Sequence, residues 1–370
     1  MSDRTREAAH YARWKRRLLL ADLLLTGSAA LLFLASGWAF LLQQRMLDRF
    51  PSRWPLQVAA YAGVCWTATV LLSFPLDWFG SFFLEQRFHL STQNFSQWLG
   101  EHAKRLALGA ALGLGLVETL SLILRTADGS WWLWATAFYV GFSTFMARVL
   151  PTWLIPIFYR QKPLSDENLR SRLSNFVTGC GARVSGIYEI NLSKTTTKAN
   201  ACLCGLGKTR RVLISDTLLA NYPVEEVEVV LAHEVGHHRL RHIPILLLTS
   251  TAAAAASFFA VDASVRTFFS PLGIRALSDL AALPLIGLGL LIANLLLMPA
   301  TNGISRFLEK QADRFALRKT RNPQAFIAAM RRLAEQNLSE LQPPRWVEWF
   351  FYDHPPIAQR IALAQQESAE

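Results

Sequence analysis

The chain has 370 residues, 52% of them hydrophobic, with positive mean hydropathy and a formal net charge of +11. This is too apolar for one ordinary soluble domain and indicates several membrane spans. The basic excess suits orientation in a membrane and contact with anionic lipid, and no RNA- or DNA-binding motif accompanies it, so nucleic acid is set aside as a partner.

Arg4, Arg6, Arg13, Lys15, Arg16 and Arg17 precede the first apolar run, which puts the N-terminus in the cytoplasm. That run, residues 18–42, is far longer than the roughly 7–15 residues of a signal-peptide core and reads as a retained anchor. Further spans are expected at 54–76, 106–124 (short), 131–159, 243–260 and 280–300. Arg148, Pro151 and Pro156 interrupt the fourth, which implies that part of it leaves the bilayer. Glu118 and Arg148 sit inside apolar segments, where a charge is costly without water or a partner. Two readings stay open: they line an aqueous chamber, or they form a buried pair. Six spans return the C-terminus to the cytoplasm, where arginines crowd residues 160–242 and 303–332. Of the four cysteines, Cys65 lies in a span, while Cys180, Cys202 and Cys204 fall on the cytoplasmic side. Cys202 and Cys204 form C-x-C with no second pair for a zinc ribbon, and read as reduced and structural.

Residues 231–242, LAHEVGHHRLRH, hold four histidines. Asn221-Tyr222-Pro223 is a turn-like start, after which Val227, Val230 and Leu231 share one helical stripe. On a helix, His233 and His237 share a face, and so do His238 and His242. Only the first pair has a glutamate beside its leading histidine, Glu234, as H-E-x-x-H requires for two zinc ligands and a general base. His238 and His242 read as surface residues near the membrane. A catalytic zinc takes three protein ligands and keeps one position open. The class with a third histidine ten positions after the first is excluded, because Ile243 stands there. The other class uses a downstream acid. Asp262 and Asp279 fall on the far side of the membrane; the first acids back on the correct side are Glu309 and Asp313. His237 lies about 9 Å of helix before the fifth span, and Glu309 about 13 Å after the sixth, so an antiparallel hairpin of straight helices brings them to similar heights. Glu309 is the expected third ligand. Asp313, one turn on, is placed to accept the free N–H of a ligating histidine. The competing reading is a salt-bridged surface with Arg306, Lys310 and Arg314.

H-E-V-G-H, a membrane hairpin and then NGISRFLEKQADRFA resemble the integral-membrane zinc proteases of the CAAX prenyl protease 1 type. KANACLCG followed by RRVLISDTLL resembles that family's Asn-Ala strand, DHPPIAQRI its His-Pro and Arg segment, and LIPIFYRQKPL its passage from the membrane into the catalytic part. LEQRFHLSTQN resembles a family loop imperfectly, with Gln86 in place of an acid and His89 in place of a glycine, and no role is carried onto it. The resemblance runs from about residue 75 to residue 363. It implies a hollow helical barrel, an edge strand at Ala201 to Gly205 for the substrate backbone, Asn200 orienting substrate or oxyanion, and His354 donating to the oxyanion. Arg360 would hold the site together or bind a substrate carboxylate; both remain open.

The expected architecture is a mainly α polytopic bundle of about six spans with a cytoplasmic zinc-protease part. That part would contain a small β-sheet or hairpin from residues 187–192, 200–205 and 211–214. The expected divisions are spans at 1–160, the H-E-x-x-H part at 161–242, a membrane hairpin at 243–300, and the third-ligand helix and C-terminal segment at 301–370. The expected function is a membrane-embedded zinc endopeptidase, with one Zn2+ per chain, acting on peptide or protein substrates, prenylated or not. The resemblance implies CAAX-type substrates. Alternatives are a broad quality-control protease for membrane proteins and an inactive zinc-stabilised scaffold.

Overall fold

A computed structural model describes residues 3–368. Its first part is helical: α1 (Asp3–Ala35), α2 (Trp38–Arg49), α3 (Trp54–Trp78), α4 (Leu84–Arg87), α5 (Phe95–Thr126), α6 (Trp131–Val149) and α7 (Ile155–Phe158). Among the described residues, six helical stretches are long and apolar enough to cross a membrane: Arg4–Ala35, Trp54–Arg87, Phe95–Thr126, Asp128–Phe158, His242–Val265 and Leu280–Thr320. Each overlaps one of the six predicted runs. Their outer faces leave Leu24, Leu71, Leu248 and Leu296 largely exposed, a pattern that suits lipid and not water.

One run is broken where a continuous helix was expected, and another stays helical through its prolines. The first is cut by Gly37, whose left-handed φ of 76° ends α1 and lets α2 start in a new direction. The fourth does not leave the helix at its prolines. Leu150–Leu154 forms a π-helical turn that absorbs Pro151, and the helix continues to Phe158. Glu118 is half-buried and Arg148 is exposed, and no ion pair joins them among the described residues.

The remaining elements are β1 (Gln161–Pro163), α8 (Glu167–Gly179), β2 (Ile187–Ile190), β3 (Ala201–Cys204), β4 (Arg211–Ser215), α9 (Asp216–Asn221), α10 (Val224–Arg239), α11 (His242–Leu272), α12 (Leu283–Thr320), α13 (Pro323–Asn337), α14 (Arg345–Phe351) and α15 (Ile357–Glu367). The sheet order is β1-β2-β4-β3, with β2 and β4 parallel and both outer pairs antiparallel. β3 is therefore an edge. β1, three residues ending in Pro163, carries no strand pattern in the sequence; proline is tolerated there because β1 is the other edge. The β3–β4 turn depends on Gly205, with φ 91°, where a Cβ would lie 2.4 Å from the Thr209 carbonyl oxygen.

The sheet packs against α10, whose Val229, Leu231 and Val235 join Val212, Ile214, Leu218, Phe326 and Ala329 in one buried core. Burying side chains of this size contributes about 1.5–3 kcal/mol each, which makes α10 a rigid platform. α12 runs unbroken for 38 residues from the apolar segment past Pro299 to Glu309 and Asp313. α10 does not run straight into α11. It stops at Arg239, Arg241 takes a left-handed φ of 58°, and His242 opens the next helix. The 84–94 segment, α4 and the turn after it, braces this frame. Glu85 accepts from Tyr11 Oη at 2.5 Å, Lys15 Nζ at 3.1 Å and Lys198 Nζ at 3.0 Å, tying α1 and α4 to the approach of β3. His89 adopts φ 55°, a left-handed conformation that glycine takes more readily.

Candidate active site

α10 and α12 cross where residue size allows it. A Cβ on Gly236 would lie 3.2 Å from Ala312 Cα and equally close to the Phe315 ring. Glycine between the two histidines therefore lets the helices approach until Glu309 faces both rings. His233 Nε2 lies 3.1 Å from Glu309 Oε2, His237 Nε2 lies 3.1 Å from Glu309 Oε1, and the two Nε2 atoms are 3.2 Å apart. Glu309 is buried, yet its Oε2 has no well-oriented hydrogen-bond partner. Unshared electron pairs thus converge on a common point without satisfying one another. Tetrahedral zinc, with donors at about 2.0–2.1 Å, needs donor separations of about 3.3 Å, so the set fits such an ion.

Behind the rings, His233 Nδ1 lies 2.9 Å from Asp313 Oδ1. Asp313 has no exposed surface and also accepts from Arg360 Nε at 2.8 Å and Arg360 Nη2 at 2.5 Å. Both carboxylate oxygens of Asp313 are thus engaged, and the Arg360 guanidinium is committed to it. Arg360 Nη2 also comes within 3.3 Å of His233 Nδ1. Burial alone would push the His233 pKa down, but the hydrogen bond with Asp313 and the nearby Glu309 carboxylate prevail and hold it up at about 9. The pocket favours a positive charge at its centre.

Glu234 shares a cleft of about 420 Å³ with Asn200, His354 and Arg360. Its Oε2 accepts from the Leu203 amide of β3 at 3.2 Å, so the edge strand fixes this carboxylate. Asn200 precedes β3 and is anchored through its backbone, which accepts from the Ser215 amide at 2.9 Å and donates to Ser215 Oγ at 3.0 Å. Its exposed side chain has no hydrogen bond among the described residues and is available to the cleft. His354, also exposed, directs Nδ1 to Asp353 at 2.8 Å and Nε2 to within 3.3 Å of Glu309 Oε2. The hydrogen bond to Asp353 raises the pKa of His354 against the opposing effect of burial.

The structure brings together all eight residues singled out in the sequence: His233, Glu234, His237, Glu309, Asp313, Asn200, His354 and Arg360. His238 is half-buried. His242 differs from expectation: it has no exposed surface and lies against His237. The helix break at Arg241 turns it inward. A larger apolar cavity of about 510 Å³ lies elsewhere, lined by Thr26, Tyr61, Cys65, Leu72 and Leu291 among others. Glu309 is 18 residues beyond Leu291 on the same helix (309 − 291), about 27 Å by helical rise, so that cavity is separate from the cleft.

Residues 163–368 match the model of peptidase family M48, and residues 2–160 match that of the CAAX prenyl protease N-terminal region with five membrane helices. The chain is 27% identical to an uncharacterized metalloprotease, YhfN, of Bacillus subtilis, over 97% of this chain and 85% of the relative. It is 26% identical to CAAX prenyl protease 1 of Saccharomyces cerevisiae, over 82% and 71%. The fold matches the crystal structure of S. mikatae Ste24p with a TM-score of 0.86 at 21% identity, covering 98% of this chain and 90% of that one.

Proposed function

Because this chain belongs to peptidase family M48 and carries the CAAX prenyl protease N-terminal region, we propose that it is a zinc endopeptidase releasing the C-terminal residues of CAAX-type substrates at the membrane. Its class, an integral-membrane metalloendopeptidase, follows from that membership. The observation that carries the site reading is the convergence of two imidazole nitrogens and a buried carboxylate within 3.1–3.2 Å, beside Glu234.

His233, His237 and Glu309 would hold the zinc, which when bound polarises the scissile carbonyl and acidifies its water. Glu234 takes the water proton and passes it to the leaving amine. The Leu203 amide holds Glu234 Oε2 and leaves Oε1 for that proton. Apart from the Leu203 amide that Glu234 takes, the outer edge of β3 is left to pair with an extended substrate backbone, and Asn200 meets a substrate carbonyl at its start. His354 donates from Nε2 to the developing oxyanion, with Asp353 supporting its charged form. Asp313 orients His233, and Arg360 braces Asp313 rather than a substrate carboxylate. The cytoplasmic placement of the site rests on the basic segments around it.

A broader membrane-protein protease is the second reading, because the Bacillus relative spanning most of the chain is named only as a metalloprotease. An inert scaffold would have no use for Glu234 in the cleft. Mass spectrometry on one CAAX peptide, with and without a farnesyl group, tests the proposal. Zinc-dependent loss of the last three residues from the farnesylated peptide alone supports it. Cleavage of both favours the broader protease, and cleavage of neither by zinc-loaded protein sinks the CAAX assignment.

A further inference from the structure

Resting on the reading of His237 as a metal ligand, we infer that His242 and Gln311 form a positioning relay that fixes His237 in the tautomer whose Nε2 faces the metal. His242 is fully buried, with Nδ1 3.1 Å from His237 Nδ1 and Nε2 3.1 Å from Gln311 Oε1. The two rings meet edge to face, with centroids 5.0 Å apart.

Hydrogen-bond direction follows from the far end of the chain. A carboxamide oxygen only accepts, so His242 carries its proton on Nε2 and donates to Gln311. The Nδ1 of a neutral His242 is then an acceptor, so His237 donates from Nδ1. The remaining His237 nitrogen, Nε2, is left with a free electron pair, and it is the atom that faces Glu309. Reversing the His237–His242 bond would place the proton on His237 Nε2 and block a metal bond there. A buried imidazole left unpaired is costly, so the relay is held as a unit.

The two candidate ligands are therefore oriented by unlike partners. His233 donates to a carboxylate, Asp313, and His237 to a neutral imidazole. The partners of His237 come from the helices that enter the membrane: His242 opens α11, and Gln311 sits between Glu309 and Asp313 on α12. The left-handed Arg241 makes this possible. On an unbroken helix, His242 would point about 140° away from His237, five steps of 100°.

The test uses full-length protein in detergent, with zinc alone as the probe. Zinc affinity is measured by chelator competition, and the melting temperature of the metal-free protein is recorded alongside. His242→Leu is expected to weaken zinc about 10–100-fold, the usual cost of losing a ligand's outer partner, while His242→Asn, whose Oδ1 can accept near the place of Nδ1, recovers most of it. Gln311→Leu weakens zinc less, because it only frees the His242 tautomer, and Gln311→Glu, which keeps an acceptor, leaves affinity within about threefold. Should His242→Leu fail to fold, His242→Asn and Gln311→Leu decide. Affinities within about twofold of the parent for both leucine variants overturn the relay, as do losses that follow the melting temperature regardless of acceptor chemistry. A parent that binds no zinc would sink the metal-site reading itself, a separate result.

Discussion

Replacing Asp313 with leucine separates two jobs that one carboxylate performs. Asp313 is fully buried, accepts both nitrogens of the Arg360 fork and takes the Nδ1–H of His233. Asp313→Leu strands a buried guanidinium, and breaking a buried pair in this way costs about 3–5 kcal/mol. It also frees His233 to rotate or change tautomer, which costs about 10–100-fold in metal affinity. The double variant Asp313→Leu/Arg360→Met removes the stranded charge. Its unfolding free energy in detergent should return to within about 1–2 kcal/mol of the parent, because apolar replacements of buried pairs are often near neutral. Its zinc affinity, measured by chelator competition, should stay about 10–100-fold low. Recovery of zinc affinity along with stability would refute the reasoning, since Asp313 would then be only the counter-ion of Arg360.

Glu234→Gln should keep the fold and about one zinc per chain while lowering kcat by about 10²–10⁴-fold; turnover near the parent's in a metal-loaded variant removes Glu234 from proton transfer. Gly236→Ala should cost about 1–3 kcal/mol and weaken zinc, because its Cβ, 3.2 Å from Ala312 Cα, must push α12 and Glu309 away; an unchanged zinc affinity would show that the helices yield without moving the site. The pKa of His354 is raised, so its charged form persists above the ordinary imidazole range and activity that needs it falls as pH climbs through the raised value. Asp353→Asn removes the largest cause of that shift and should move the alkaline limb of the kcat/KM profile to lower pH; an unmoved limb assigns it to another group.

The helix carrying the candidate ligands was legible because three constraints coincide there: i,i+4 spacing, an adjacent carboxylate and a buried stripe. The place of Glu309 beside it was legible from topology, since α12 runs unbroken from the apolar segment to the site. His242 was not. A continuous helix would turn it away from His237, and a single left-handed arginine at 241 breaks that helix; arginine is not a residue that signals positive φ. The Asp313–Arg360 pair joins residues 47 apart, beyond any periodicity, and only the resemblance pointed to Arg360. β1 is too short for a pattern, and its pairing with β2 fixes it instead. The Glu85 brace was not legible in its segment, because its value lies in contacts to Tyr11 and Lys198 far away in the chain.

The most direct test of the account is the zinc content of purified Glu309→Ala set against the parent and Glu234→Gln, by elemental mass spectrometry, with peptide cleavage measured on the same samples. The account predicts about one zinc per chain in the parent and in Glu234→Gln, little in Glu309→Ala, and cleavage by the parent alone. Stoichiometric zinc together with parental cleavage in Glu309→Ala would contradict it, because the third ligand would then lie elsewhere.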